Sequence, residues 1–259
     1  MLHTSLQLRE VFHLEFLRRL ARAIKSDSYA LKGGVNLRFF FGSFRYSEDM
    51  DFDVKGIEVI FLSDAVMKIL SASSFRETLK PFGIESVIPP DISISKQTQT
   101  TQRFKIHLIS EAGEDLFTKL EFSRRGFSGN AVVQPVSSAV LRAYRIAPVL
   151  ASHYEVNSAI TQKLKALAGR SVIQARDIFD IYVLSSQTEK AAFEPAMIKM
   201  EHLEKAYENI FSVNYEQFRD TVVSYLSPED QDACKSEEMF SVIQLKTAEF
   251  IQELGNSFE

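Results

Sequence analysis

The sequence has a single cysteine, Cys234, which excludes an internal disulfide framework and fits a reducing compartment. Its five histidines are scattered, without the spacing of a zinc site. No uninterrupted apolar run, at the N-terminus or elsewhere, approaches the ~18 residues of a bilayer span, so a cytoplasmic protein is expected. A formal net charge of −4 gives no overall attraction to nucleic acid, and any such contact needs a local basic patch. Internal repeats and low-complexity segments are also missing. What remains is a globular composition, 45% hydrophobic and 25% charged, over 259 residues, enough for one large domain or two of ordinary size.

Along the chain, residues 5 to 25 read as a helix, with Leu14, Leu17, Leu20, Ala21 and Ile24 on one side and Arg18, Arg19 and Arg22 mostly on the other. A short extended piece, Tyr29 to Lys32, leads into Gly33 and Gly34, and "VNLRFFF" then predicts one or two helical turns ending near Gly42. Residues 63 to 80 look helical again. "IESVIPPDISIS", "QRFKIHLIS" and "LFTKLEFSRR" alternate as strands do, the last with Leu116, Thr118, Leu120 and Phe122 on one face and Lys119, Glu121 and Ser123 on the other. From about residue 138 strand signals fade and helical periodicity takes over. "SPED" at 227 to 230 offers a Ser cap with Pro in the first turn, and Gly255 stands where a helix should stop. The expected organisation is an α+β domain over 1–140, a mixed sheet with flanking helices, followed by a helical domain over 141–259.

The stretch "FRYSEDMDFDV", residues 44 to 54, crowds Glu48, Asp49, Asp51 and Asp53 into a segment otherwise built like a strand. Strand alternation sends Ser47, Asp49, Asp51 and Asp53 one way and Glu48, Met50, Phe52 and Val54 the other. Two neighbouring carboxylates on one face are costly unless a cation neutralises them. A hard divalent ion such as Mg²⁺ does so while keeping waters and accepting phosphate oxygens. An exposed acidic strand, or a charge cluster at the start of the next helix, is the ordinary explanation of a lone Asp-X-Asp. Thirteen positions before Ser47, the Gly33–Gly34 turn leaves backbone N–H groups bare at a strand-to-helix junction, a place that can receive phosphate. Glycine pairs often serve only a tight turn.

Together, "LKGGVNLRFF" and "RYSEDMDFDV" resemble the nucleotidyltransferase superfamily, whose fold sets a glycine turn shortly before an Asp-X-Asp strand. That fold implies a third carboxylate on a later strand. Glu121 is the candidate, because it alternates away from Leu120 and Phe122; a solvated glutamate paired with Lys119 or Arg124 is the other reading.

In the helical half, Ile160, Leu164 and Leu167 form an apolar stripe with Lys163 at its border, about 40° around the helix from Leu167, while Lys165 points away. A lysine so placed needs an anion, either a carboxylate such as Asp177 or a bound polyphosphate. Asp177 and Asp180, three residues apart, project together and could simply pair with Arg170, Arg176 or Lys163. The ordered set "KGG…LR…RYSEDMDFD…KLKAL…R…RDIFDIYVL", covering roughly residues 28 to 185, resembles the AbiEii/AbiGii toxin family, nucleotidyltransferases of bacterial toxin–antitoxin and phage-defence systems.

This resemblance implies Gly33, Gly34 and Ser47 at the phosphates, Asp49, Asp51 and Glu121 on Mg²⁺ or Mn²⁺, and Lys163 on the triphosphate. Asp177 or Asp180 would complete a fourth motif. It further implies an NTP substrate, an RNA acceptor such as tRNA, and a cognate antitoxin protein. Val35 departs from the hydroxyl residue common after the glycine pair, leaving backbone N–H groups and Ser47 to hold phosphate. Arg124 and Arg125, or Arg18, Arg19 and Arg22, could supply a local basic surface. A non-catalytic nucleotide- or partner-binding module, and a metal-dependent phosphohydrolase or nuclease, are the alternative classes.

Overall fold

The computed structural model describes residues 3–188 and 193–258. By internal contact the chain forms two compact units, one made of the chain through Phe40 with Tyr46–Tyr154, the other of Phe41–Arg45 with the chain from Glu155 onward.

The first unit opens with α1 (Ser5–Ala23), where Thr4 and Gln7 form a reciprocal capping box. Then come β1 (Tyr29–Lys32), α2 (Gly33–Phe40), β2 (Met50–Val54), α3 (Val59–Ser71), α4 (Ser73–Leu79) and β3 (Ile84–Ile88). The unit continues with β4 (Thr101–Ser110), β5 (Asp115–Ser123), β6 (Ala131–Pro135), α5 (Ser138–Ala143) and β7 (Leu150–Tyr154). Among the described residues seven strands make one sheet, ordered β3-β4-β5-β2-β1-β7-β6. The pairs β2–β5 and β1–β7 are parallel and the others antiparallel.

Alternation explains which sheet face is covered. Phe104, Ile106 and Leu108 of β4, Leu116, Leu120 and Phe122 of β5, and Met50 and Phe52 of β2 join Val11, Phe12, Phe16 and Leu20 of α1 and Leu62, Val66 and Leu70 of α3 in one buried cluster. Each such side chain contributes about 1.5–3 kcal/mol by leaving water. The other side of the same strands carries Asp51, Arg103, Lys105, His107, Phe117, Lys119 and Glu121.

In the second unit α6 (Val156–Gly169) packs on α7 (Ala175–Ser185) and on α8 (Met200–Ile210). After α9 (Tyr215–Thr221) and α10 (Pro228–Cys234), α11 (Glu237–Asn256) packs on α7 and α8. Ser227 accepts the Asp230 N–H and Pro228 opens α10, as the sequence suggests. Among the described residues no helix is long and apolar enough to cross a membrane. The architecture is the expected α+β one, a mixed sheet with flanking helices and then helices alone.

Three details differ from the sequence reading. Strand structure continues past residue 138: β7 is a short segment, "LASHY", with weak local β signal, ordered by pairing with β1 and β6 far away in sequence. "IESVIPPDISIS" is a strand only over Ile84–Ile88, because Pro89 and Pro90 follow and proline gives no donor to a ladder. Gly255 does not cap α11 but lies buried within it, where an added Cβ would meet Met200 Cε at 3.4 Å.

Candidate active site

The site begins where β1 hands over to α2. Lys32 is the register partner of Asp51 on the antiparallel neighbour β2, and the chain turns immediately after it at Gly33, with φ +71°. A Cβ at Gly33 would stand 3.1 Å from Asp51 Oδ2. The Asp51 carboxylate therefore rests against the bare backbone of the glycine turn, in a space only a glycine leaves open. Ser47 turns its hydroxyl onto the Asp49 carbonyl at 3.0 Å.

Parallel pairing of β2 with β5 puts Glu121 directly beside Asp51. Lys119, two residues earlier and on the same face of β5, lies with Nζ 3.0 Å from Asp49 Oδ2 and 3.8 Å from Glu121 Oε2. Arg103, register partner of Glu121 on β4, reaches Glu121 Oε2 at 2.7 Å. Asp49, Asp51 and Glu121 thus share one face, interleaved with cations. The Asp51 pKa is raised, first by burial; Glu121 and Asp49 push it the same way, while Lys119 and Lys32 oppose.

Asp53 has a different part. It is buried, salt-bridged to Lys32 Nζ at 2.6 Å, and accepts hydrogen bonds from the Tyr154 hydroxyl at 2.6 Å and from Ser128 Oγ at 3.3 Å. Those partners satisfy the carboxylate and pin β2 to its neighbours.

The remaining candidates lie in the second unit. Lys163 on α6 places Nζ 2.6 Å from Asp180 Oδ2 and 3.1 Å from Asp177 Oδ1, both on α7. Arg45 donates to Asp180 Oδ1 at 3.1 Å and Oδ2 at 3.2 Å, and Arg170 Nε is 3.1 Å from Asp177 Oδ2. Both aspartates have 0% side-chain exposure, so this is a chain of alternating charge buried at its centre, with Arg170 at its exposed end. Asp177 and Asp180 do project together, and their ion pairs with Lys163 and Arg170 are formed.

Sequence reasoning gave no role to Arg45, Lys32 or Arg103. Arg45 stands in an irregular segment with no periodicity to mark it, and Arg103 meets Glu121 only through the β4–β5 register. Lys119 is placed by alternation on the Glu121 face and as its possible partner, and it does lie 3.8 Å from Glu121 Oε2, whereas Arg124 bonds to Gln102 and the Ile57 carbonyl.

The donor set suits a hard divalent cation. It is all carboxylate, Asp51 lies in the space left by the missing Gly33 Cβ, and a lysine ammonium already offsets Asp49. Among the described residues no three His, Cys, Asp or Glu side chains are gathered so as to enclose a metal. Mg²⁺ commonly uses only one or two protein carboxylates with waters and substrate phosphates.

Gly33→Ala tests the close approach. The left-handed φ costs a residue with a Cβ about 1–2 kcal/mol, and the new methyl would press on Asp51. Chemical denaturation should show that loss, accompanied by a larger fall in activity than the stability change explains.

A comparison with curated proteins returns no match. JHP933 from Helicobacter pylori superposes with a TM-score of 0.62 at 19% identity, covering 99% of this chain and 94% of that one. MenT4, a nucleotidyltransferase toxin from Mycobacterium tuberculosis, gives a TM-score of 0.63 at 16% identity, covering 96% and 84%. At these identities the likeness shows the fold alone. The sequence itself matches the family model described as nucleotidyl transferase AbiEii toxin, Type IV TA system, over residues 15–246, a span that holds the glycine turn, the aspartate strand and the buried charge chain. The chain belongs to the AbiEii nucleotidyltransferase toxin family.

Proposed function

We propose that this nucleotidyltransferase transfers a nucleoside monophosphate from an NTP to a hydroxyl of an RNA acceptor such as tRNA, with Mg²⁺ or Mn²⁺ held by Asp49 and Asp51. The acceptor oxygen forms a bond to the α-phosphorus, the bond from that phosphorus to the β-phosphate bridging oxygen breaks, and pyrophosphate leaves with its electron pair. The observation that carries the reading is the Asp51 carboxylate seated against the Gly33 turn, with Glu121 beside it.

When bound, the divalent ion supplies charge neutralisation at the phosphates and lowers the pKa of the acceptor hydroxyl. The chain's own groups do the rest. Backbone N–H groups at the start of α2 receive phosphate oxygens, and Ser47 supplies a hydroxyl nearby in sequence. Glu121 accepts the acceptor's proton or joins Asp49 and Asp51 as a third ligand, with Arg103 and Lys119 setting its position. Lys119 offsets the repulsion among the carboxylates before the ion arrives. Positioning and charge stabilisation supply most of the acceleration.

The family pattern implies that Lys163 serves the triphosphate, with Asp177 and Asp180 orienting it. Lys163→Ala is therefore expected to raise the KM for NTP more than the exposed Lys165→Ala does, and equal effects would remove Lys163 from nucleotide use. Membership of a toxin–antitoxin family points to an antitoxin partner.

Incubation with α-³²P-labelled NTP, Mg²⁺ and total RNA tests the reaction. Label in RNA supports transfer. Release as free nucleotide points to a phosphohydrolase, and saturable binding without turnover to a non-catalytic module.

A further inference from the structure

The face that bears the carboxylates continues along β4 and β5 into a surface that folding alone does not explain. Cross-strand register sets Lys105 opposite Lys119 and His107 opposite Phe117. Like charges directly opposite on an antiparallel pair destabilise it. Lys119 is offset by Asp49 and Glu121, whereas Lys105 is exposed and has no ion pair or side-chain hydrogen bond among the described residues.

Phe117 is 63% exposed on a strand whose other face, Leu116, Thr118, Leu120 and Phe122, is buried. Its ring stacks on His107, centroids 4.8 Å apart and planes inclined by 19°. His107 Nε2 lies 2.6 Å from Asp115 Oδ1, which fixes the imidazole plane, and Arg9 Nε donates to the Phe117 carbonyl at 2.9 Å, which fixes the backbone. Ile88, register partner of His107 on β3, is 44% exposed beside them. The result is a rigid planar ring pair open to solvent, an unoffset ammonium next to it, and carboxylates farther along the same face. Phe117, Lys119 and Glu121 are successive same-face residues, so the rings stand roughly 13 Å from Glu121 at ~3.3 Å per residue.

We propose that this face is a binding platform for single-stranded nucleic acid, one base stacking on the Phe117–His107 pair and a phosphate meeting Lys105, so that the strand's end reaches the carboxylates. The location deepens, and rests on, the transferase reading above. Aromatic rings with interleaved cations are the means by which single strands are held without sequence preference. A duplex hides its base faces from such a platform, and an acidic polypeptide would use the lysine but gain little from a stacked ring pair.

The test uses the full chain, without NTP, and a short fluorescent mixed-sequence RNA single strand followed by anisotropy. Phe117→Ala should weaken binding roughly tenfold, the scale of one lost base stack. Lys105→Gln should reduce the slope of log K against log salt by about 0.7, one phosphate contact on a single strand. Melting temperature and binding of a fluorescent NTP with Mg²⁺ should not change in either variant. The same RNA presented as a duplex should bind more weakly and be indifferent to Phe117→Ala. Absence of measurable wild-type binding, or wild-type affinity in both variants, overturns the platform. Failure of label transfer with RNA binding that still depends on Phe117 and Lys105 removes the transferase reading and keeps the platform; intact transfer with both variants unaffected does the reverse.

Discussion

Asp51→Ala is expected to lower nucleotide transfer by at least roughly 10²–10³-fold, the loss that follows removal of one preorganised electrostatic element, while the fold survives. The fold survives because Asp51 is not a structural ion-pair partner. Partial burial is the first cause of its raised pKa, Glu121 and Asp49 add repulsion, and Lys119 and Lys32, which oppose, are themselves paired with Asp49 and Asp53. Taking the charge away removes chiefly the cost of its desolvation, so thermal melting should be unchanged or slightly higher. Activity falling while stability holds or rises is the signature of a group kept at a cost for function. The neutral isostere Asp51→Asn should behave like alanine, since shape without charge does not attract a divalent ion. Mn²⁺ affinity, read by paramagnetic resonance with no substrate present, should fall in both variants. Normal transfer by a verified Asp51→Ala protein would remove the metal assignment altogether.

The parts of this site that were legible in the sequence are those written in local periodicity. The alternation around "SEDMDFDV" places Asp49 and Asp51 on one face, the alternation in "TKLEF" places Glu121 outward, and the helical phase of "KLKAL" turns Lys163 inward. The structure shows each of these orientations. What was not legible depends on register between distant segments. Whether Glu121 meets Arg103, or Lys105 faces Lys119, follows from how β4 aligns on β5, and a slip of one residue would reverse every face. Strand β7 was missed for the same reason: five residues with little propensity of their own are held by β1 and β6. Asp53 shows the limit of alternation from the other side. It shares a face with Asp51 by counting, yet the Lys32 ammonium and the Tyr154 hydroxyl make it a structural carboxylate.

Arg45 is the residue whose role the sequence hid most completely, and its partner carries the second large expected effect. Asp180→Ala should destabilise the protein by about 3–5 kcal/mol, because it removes from a buried site the carboxylate that Arg45 and Lys163 share, leaving Lys163 with Asp177 alone. For a chain of this size that corresponds to a melting shift on the order of 10 °C. Asp180→Asn, which keeps shape and one acceptor, should lose less. The pH dependence gives an independent check. Burial alone would raise the Asp180 pKa, but Arg45 and Lys163 outweigh it and hold it below the ordinary carboxylate value; burial alone would lower the Lys163 pKa, but Asp180 and Asp177 hold it above the ordinary lysine value. A depressed acid stabilises the fold above its unfolded pKa of ~3.9 and loses that contribution as pH falls through its folded value. An elevated lysine stabilises below ~10.4 and loses its contribution as pH rises through its folded value. The stability difference between wild type and Asp180→Ala should therefore be flat from about pH 5 to about pH 10 and narrow on either side. An alanine variant that melts like wild type but no longer transfers nucleotide would show instead that Asp180 acts on substrate, and that the ion pairs with Arg45 and Lys163 are incidental to the fold.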